Sequence, residues 1–202
     1  MSMKPILFKT EMVRAILDGR KSCTRRICKD ANECTVPDMD FYNADKRTYA
    51  VHNFSDKKHT EQLSIAERTC PICQGDILYV RETWFKGLKR YMYRADYTDA
   101  EKYYKNGKEV AIRWHPSIHM PKEAARIFLR VTNVRVERLQ DMTDDDAEAE
   151  GCFDYTSTAL GFPDVWDSTI KKSDLDCYGW NANPWVWVIE FERCDKPESE
   201  EN

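Results

Sequence analysis

No run of apolar residues in this chain approaches the roughly 20 that a helix needs to cross a bilayer, although 42% of the 202 residues are hydrophobic. The opening "MSMKPILFKT" has neither the long apolar core nor the small-residue cleavage site of a secretory signal. These two absences imply a soluble, cytoplasmic protein with no membrane partner. Positive charge is not in excess. The formal net charge of −4 excludes a protein that coats nucleic acid non-specifically, and leaves room for a local basic patch that holds one nucleotide or a short strand. Helical patterns are too few to supply the crossovers of a parallel sheet, and no internal repeat is present.

Against those absences stand eight cysteines. In a reducing compartment disulfides are rare, so the thiols are expected to be buried, metal-bound or reactive. Cys70-Pro71-Ile72-Cys73 has the two-residue gap that lets both sulfurs face one ion. Cys28 and Cys34 complete a four-thiolate structural zinc site in this reading, which ties the start of a polar segment to its end. His52 and His59 are alternative ligands. The competing reading is a set of unlinked thiols. Cys152, Cys177 and Cys194 show no ligand spacing and are read as packing residues.

Hydrophobic periodicity orders the rest. "KPILF" reads as a strand. A helix follows, with Thr10 as its cap, Glu11 in its first turn, Met12, Val13, Ile16 and Leu17 on one apolar face, and Gly19 as its stop. "KSCTRRIC" is extended, with Cys23 and Ile27 facing one way and Ser22, Thr24 and Arg26 the other. "QGDILYVRETWF" is a strand whose Leu78, Val80 and Trp84 share a face with Glu82, and "RYMYRADY" is its antiparallel partner. In "ARIFLRVTNVRVERL" the alternation slips by one residue at Thr132-Asn133, which requires a bulge or turn. "MTDDDAEAEG" is a short helix with a Thr143–Asp146 capping box and Gly151 at its end. "NPWVWVIEFE" is a closing strand. These elements imply an α+β protein, a small antiparallel β-barrel flanked by two or more helices. It forms one domain over residues 1–195 with insertions at about 30–69, 98–113 and 152–183, followed by an acidic tail over 196–202.

The stretch "LDGRKSCTRRICK" carries the chemistry. Lys21 opens a strand at a corner after a helix end, where its stem can bend inward. A desolvated lysine amine can act as a base, and Thr24 is the hydroxyl that such a base would activate. The alternative is a basic strand facing water. Glu150 lies in the last turn of the short acidic helix, beside Asp144, Asp145, Asp146 and Glu148. The helix dipole and the like charges both disfavour its ionised form, as a proton donor requires. An ordinary solvated acidic helix is the competing reading.

"GRKSCTRR" resembles the G-x-K-x-x-x-x-R signature of the ASCH family, a branch of the PUA-like β-barrels, with Gly19, Lys21 and Arg26 in the signature places. "KPILFKTEMVRAILDGRKSCTRR", "GDILYVRETW", "PSIHMP", "RVERLQDMTDDDAEAEG" and "NPWVWVIEF" resemble, in order, successive blocks of ASCH proteins encoded in phages and prophages. One branch of that family hydrolyses N4-acetylcytidine to cytidine and acetate with a lysine base, a threonine nucleophile and a glutamate acid. The resemblance implies these roles for Lys21, Thr24 and Glu150, with no cofactor. Other members are linked to RNA binding or RNA cleavage, so a non-catalytic RNA or modified-nucleotide binding module and a ribonuclease are the competing functions.

Around that set, Arg25 and Arg26 are candidates to hold phosphate, and Arg26 or backbone amides to steady an oxyanion. Glu82 is a carboxylate on an apolar face, and it needs a partner such as Arg26 or Lys21. "PSIHMP" reads as a loop in which His119 contacts a ligand, because Pro116 and Pro121 exclude a helix there. Trp84 is a further substrate-side candidate, and Trp114, beside a proline-containing loop, is the expected exposed stacking platform. The partner implied is a modified pyrimidine nucleoside, a nucleotide or RNA.

Overall fold

A computed structural model describes residues 3–29, 42–43, 48–54, 63–69, 71–87, 90–98, 103–105, 107–152 and 158–197. The architecture is α+β with mainly antiparallel strand pairing. Two compact units are present. The first is built from the described residues of Met1–Lys21, Asp76–Arg130 and Glu192–Asn202, and the second from those of Ser22–Gly75 and Val131–Phe191. Among the described residues no strand pairing closes a sheet on itself.

In the first unit, β1 (Met3–Leu7) pairs in parallel with β6 (Ile77–Arg81), from Met3 opposite Ile77 to Leu7 opposite Arg81. On the other side of β6 run Phe128–Arg130, the first residues of β11 (Phe128–Arg138), antiparallel. A parallel neighbour was not expected. It is reached through α1 (Thr10–Leu17) and the long excursion that follows, which together provide the crossover. Val13, Leu78 and Leu129 are wholly buried and Val80 and Ile16 nearly so, which gives this sheet and α1 each a buried apolar face. β7 (Trp84–Lys86) and β8 (Tyr91–Tyr93) form a separate hairpin, and β9 (Tyr103–Lys105) with β10 (Lys108–Val110) another, inside the segment read as a 98–113 insertion. The expected single strand through Leu78 and Trp84 is therefore two strands, interrupted at Glu82-Thr83.

Thr10 is not the cap of α1. The cap position belongs to Lys9, extended at φ −69° and ψ 158°, with no side-chain hydrogen bond. The strand contact persists to Phe8, whose amide donates to the Arg81 carbonyl at 3.2 Å, so the chain turns into the helix only afterwards. The other end matches expectation. Gly19 donates to Ile16 O and Arg20 to Ala15 O, at 3.1 and 2.8 Å, the paired bonds of a Schellman cap. Gly19 sits at φ +74°, where an L side chain is strained.

In the second unit, β12 (Trp185–Cys194) lies between the later residues of β11 and β2 (Cys23–Ile27), with β2 outermost. β2 pairs antiparallel with β12, from Cys23 opposite Glu190 to Ile27 opposite Val186. The predicted slip is visible in β11: Thr132 and Asn133 are consecutively exposed between buried Val131 and Val134, and the strand runs through without a turn. β3 (Tyr42–Asn43), β4 (Thr48–Phe54) and β5 (Leu63–Thr69) form a three-stranded antiparallel sheet, so the segment read as a polar insertion carries regular structure. The helix α2 (Asp144–Ala149) has its capping box complete, and it ends in a second Schellman pair: Gly151 to Glu148 O at 2.7 Å and Cys152 to Ala147 O at 3.1 Å. Two further helices, α3 (Thr158–Asp167) and α4 (Leu175–Tyr178), follow. The 152–183 segment is part of the core: Phe162 and Trp166 of α3 pack with Leu139, Val186, Val188 and Cys152 in one buried cluster.

Gly19→Ala is expected to cost about 1–2 kcal/mol, the price of a left-handed non-glycine residue. Nothing lies within 4 Å of a Cβ added at this position, so the loss is one of backbone strain. Urea denaturation of Gly19→Ala and Gly19→Ser should therefore give the same loss. A larger loss for serine would show a steric cause instead.

Candidate active site

Six polar or charged side chains among the described residues are buried: Lys21, Thr24, Arg25, Asp76, Glu82 and Glu150. Asp76 has an evident role, an ion pair with Lys4 at 2.8 Å. Glu82 and Arg25 are paired as described below. Lys21, Thr24 and Glu150 are the residues that the sequence singles out for chemistry.

Lys21 belongs to the first unit. Its amide donates to the Ala15 carbonyl at 3.1 Å, directly after the Schellman cap, and this bond fixes where its stem leaves the backbone. The side chain is 4% exposed, with Nζ 5.6 Å from the centre of the Phe8 ring.

Thr24, Arg25, Arg26 and Glu150 come together in the second unit. The alternation of β2 puts Thr24 and Arg26 on one face, and Arg26 Nη1 donates to Thr24 Oγ1 at 2.7 Å and to the Arg25 carbonyl at 2.8 Å. A cation thus sits on a lone pair of the hydroxyl oxygen. Burial draws the Arg26 guanidinium below its ordinary value, and the negative charge of Glu150 opposes that shift. The C-terminal end of α2 lies along β2: Ser22 N donates to Ala149 O at 2.9 Å, and Arg25 N donates to Glu150 Oε1 at 2.6 Å. Outermost strands present unpaired amides, and the end of α2 supplies acceptors for these.

The sequence led us to expect Glu150 to be crowded by like charges. Its contacts are cationic as well. Arg25 Nη1 lies 3.6 Å from Oε1, and Asp146, one turn earlier in the same helix, turns to Arg25 at 3.3 Å and Arg135 at 3.2 Å. Burial works against ionisation of Asp146, but the Thr143 amide and the Arg25 charge outweigh it and hold the carboxyl below its ordinary value.

Arg25 does not offer itself to a phosphate. Its side chain is fully buried, with Nε and Nη2 donating to Glu137 Oε1 at 3.1 and 2.6 Å. Burial disfavours its charge, yet Glu150 and Glu137 more than compensate and raise its affinity for the proton. Glu137 in turn accepts from Arg135 Nε at 3.0 Å through Oε2, and Arg135 also pairs with Glu190. Sequence reasoning missed Glu137, Arg135 and Glu190. One signal was present: in "VRVER" Arg135 and Glu137 are two apart and so share a strand face.

The remaining candidates lie elsewhere. Glu82, 1% exposed, pairs with neither Arg26 nor Lys21 in its recorded ion pairs. Arg126 grips it through Nε at 2.9 Å and Nη2 at 3.1 Å while also holding Asp96. Burial raises the Glu82 carboxyl, and Arg126 opposes the rise. Trp84 is half-buried against Tyr91 and His115, its indole Nε1 buried with no hydrogen-bond partner among the described residues. Trp114 is not an open platform, because its ring meets Tyr97 and the Arg94 guanidinium. His119 is exposed on a 3-10 turn, Ser117–His119, whose loop Arg81 straps by donating to the carbonyls of Met120 and Ile118. Of the expected zinc ligands, Cys28 and Cys73 are buried, while Cys34 and Cys70 lie outside the described residues, as do His59 and the His52 side chain. Among the described residues no group of three or more His, Cys, Asp or Glu is disposed to hold a metal.

Removing one partner of a buried ion pair strands the others, so Arg25→Ala is expected to cost about 3–5 kcal/mol in urea denaturation. Asp146 contributes stability above the ordinary aspartate value of 3.8, and that contribution is lost as pH falls through its lower folded value. Asp146→Asn should therefore be less stable than the parent at neutral pH, with the gap closing in acid. A gap independent of pH would show that the carboxylate charge is not what stabilises. No family model, curated protein or solved structure matches this chain.

Proposed function

We propose that this chain is an ASCH-type member of the PUA-like β-barrel group that acts on a nucleoside or RNA by hydrolysing the amide of an N4-acylated cytidine. One observation carries this reading. The amine, hydroxyl and carboxyl that the resemblance assigns to the reaction are each withdrawn from water, at 4%, 1% and 6% exposure for Lys21, Thr24 and Glu150. Burying such groups is costly, and a solvated basic strand or a solvated acidic helix would have left them outside. The blocks of the resemblance also fall on regular elements: β1, α1 and β2, then β6, then the end of β11 with α2, and lastly β12.

In this reading Thr24 Oγ1, holding the Arg26 donor on one lone pair, gives its proton to Lys21. Oγ1 forms a bond to the acyl carbon, and the Arg26 charge stabilises the resulting oxyanion. Glu150 protonates N4 as the C–N4 bond breaks and cytidine departs. Water then attacks the threonine ester and gives a proton to Glu150, while Lys21 returns a proton to Oγ1, releasing the carboxylic acid. Water is the only co-reactant.

The binding-module reading has Lys21, Arg25 and Arg26 holding phosphates. Arg25 is committed to carboxylates, which counts against it.

The test incubates the protein with N4-acetylcytidine and, separately, with mixed RNA. Deacetylation is expected, with Lys21→Ala and Thr24→Ala slower by about 10²–10⁴-fold and RNA left intact. Unchanged nucleoside together with salt-sensitive RNA binding or RNA cleavage would overturn the proposal.

A further inference from the structure

Glu137 is 17% exposed, and its side chain accepts from Arg25 and Arg135, so that it holds the guanidinium that faces Glu150. One of its oxygens takes two donors from Arg25, a side-on grip on the Nε–Nη2 edge, while the other takes Arg135. A guanidinium is planar, so fixing that edge fixes the direction of Nη1 as well. Nη1 is the atom directed at Glu150 Oε1, at 3.6 Å, and the Arg25 amide meets the same oxygen at 2.6 Å. The amide belongs to β2 and is positioned by the sheet. The guanidinium is a long flexible arm, and its position depends on its partner.

We propose that Glu137 is a positioning residue for the Glu150 carboxyl, acting through Arg25. This inference rests on the reading of Glu150 as the proton donor to the leaving amine. It assigns to Glu137 the orientation of that donor rather than any contact with substrate. Arg135, held at its far side by Asp146 and Glu190, keeps Glu137 itself in place. A loss of orientation at Glu150 has a selective consequence, because only a poor leaving group needs a proton delivered as its bond breaks. In acylation an amide depends on Glu150 and an activated ester, whose phenolate leaves unaided, does not; hydrolysis of the threonine ester is common to both substrates. Both depend on Thr24.

The experiment measures hydrolysis of N4-acetylcytidine and of p-nitrophenyl acetate by the parent, Glu137→Gln, Glu150→Gln and Thr24→Ala. Expected is a fall in kcat on the amide of about 10–10²-fold for Glu137→Gln, with KM little changed and the rate of the p-nitrophenolate burst on the ester, which reports acylation alone, kept near the parent value. Glu150→Gln should show the same selectivity more strongly, and Thr24→Ala should lose both substrates. If Glu137→Gln does not fold, Glu137→Asp, which keeps the charge but shortens its reach, is read on the same amide-to-ester ratio. Equal losses on both substrates, or no loss on the amide, would overturn the role of Glu137 and leave the amidohydrolase reading standing. A parent that turns over the ester alone would overturn that reading and this inference with it.

Discussion

A guanidinium buried without exposure is the constraint from which the second unit is organised. Arg25 sits on an outermost strand, where a charged residue would ordinarily turn to water, and its side chain instead points inward. The desolvation of one such charge costs several kcal/mol and is recovered only with near-complete pairing. The chain supplies that pairing from separate stretches: Glu137 of β11, and Asp146 with Glu150 of the α2 segment. Satisfying one cation therefore ties β11, across the intervening β12, and a helix end to β2, and the two arginines with their carboxylates form a connected network rather than isolated pairs. Glu150 stands in this network as a ligand of Arg25 and as the acceptor for its amide.

The second organising device is the glycine-ended helix. Gly19 and Gly151 each close a helix with the same two hydrogen bonds, and in each case a candidate residue stands within two positions of the glycine. A Schellman cap reverses the chain sharply and leaves its next residues in defined directions. Lys21 takes its place after the first cap and Glu150 immediately before the glycine of the second. Two polar groups that would be expensive to bury on a flexible loop are thus carried on backbone that the caps hold still. The apolar contact that often accompanies such caps is present for α2, where Ala147 and Cys152 belong to the same buried cluster.

How much of this was legible follows from the range of the interactions. The helix stops, the Thr143–Asp146 capping box and the phase slip at Thr132-Asn133 are local, and each was read from a few adjacent residues. The start of α1 was misplaced by one residue because the decisive contact, Phe8 to Arg81, spans most of the first unit. The partner of Glu82 was missed for the same reason, since Arg126 is 44 residues away. Strands β4 and β5 escaped notice because a polar composition masked their alternation. The 152–183 segment was set aside as an insertion although Phe162 and Trp166, four apart, already had the spacing of a helix face. For Lys21, Thr24 and Glu150 the withdrawal from water was legible, because the residue chemistry asked for a desolvated amine, hydroxyl and acid. Arg25 was legible as a charge but not as a buried one, because burial is decided by carboxylates more than 100 residues further on.

The contacts of Glu150 also bear on how a structural and a chemical role coexist in one side chain. An outermost strand needs its amides satisfied, and a backbone carbonyl does this at Ser22. At Arg25 a carboxylate does it instead. A carbonyl would have met the same hydrogen-bonding need at lower desolvation cost, since burying an ionisable group is the more expensive choice. A buried glutamate at that point is therefore hard to account for by strand capping alone. It becomes intelligible if one oxygen is anchored so that the group as a whole keeps a fixed orientation next to the Thr24 segment. The arginine network supplies the anchoring and the edge amide sets its direction, so that the carboxylate is held one residue along β2 from Thr24, whose hydroxyl accepts from Arg26.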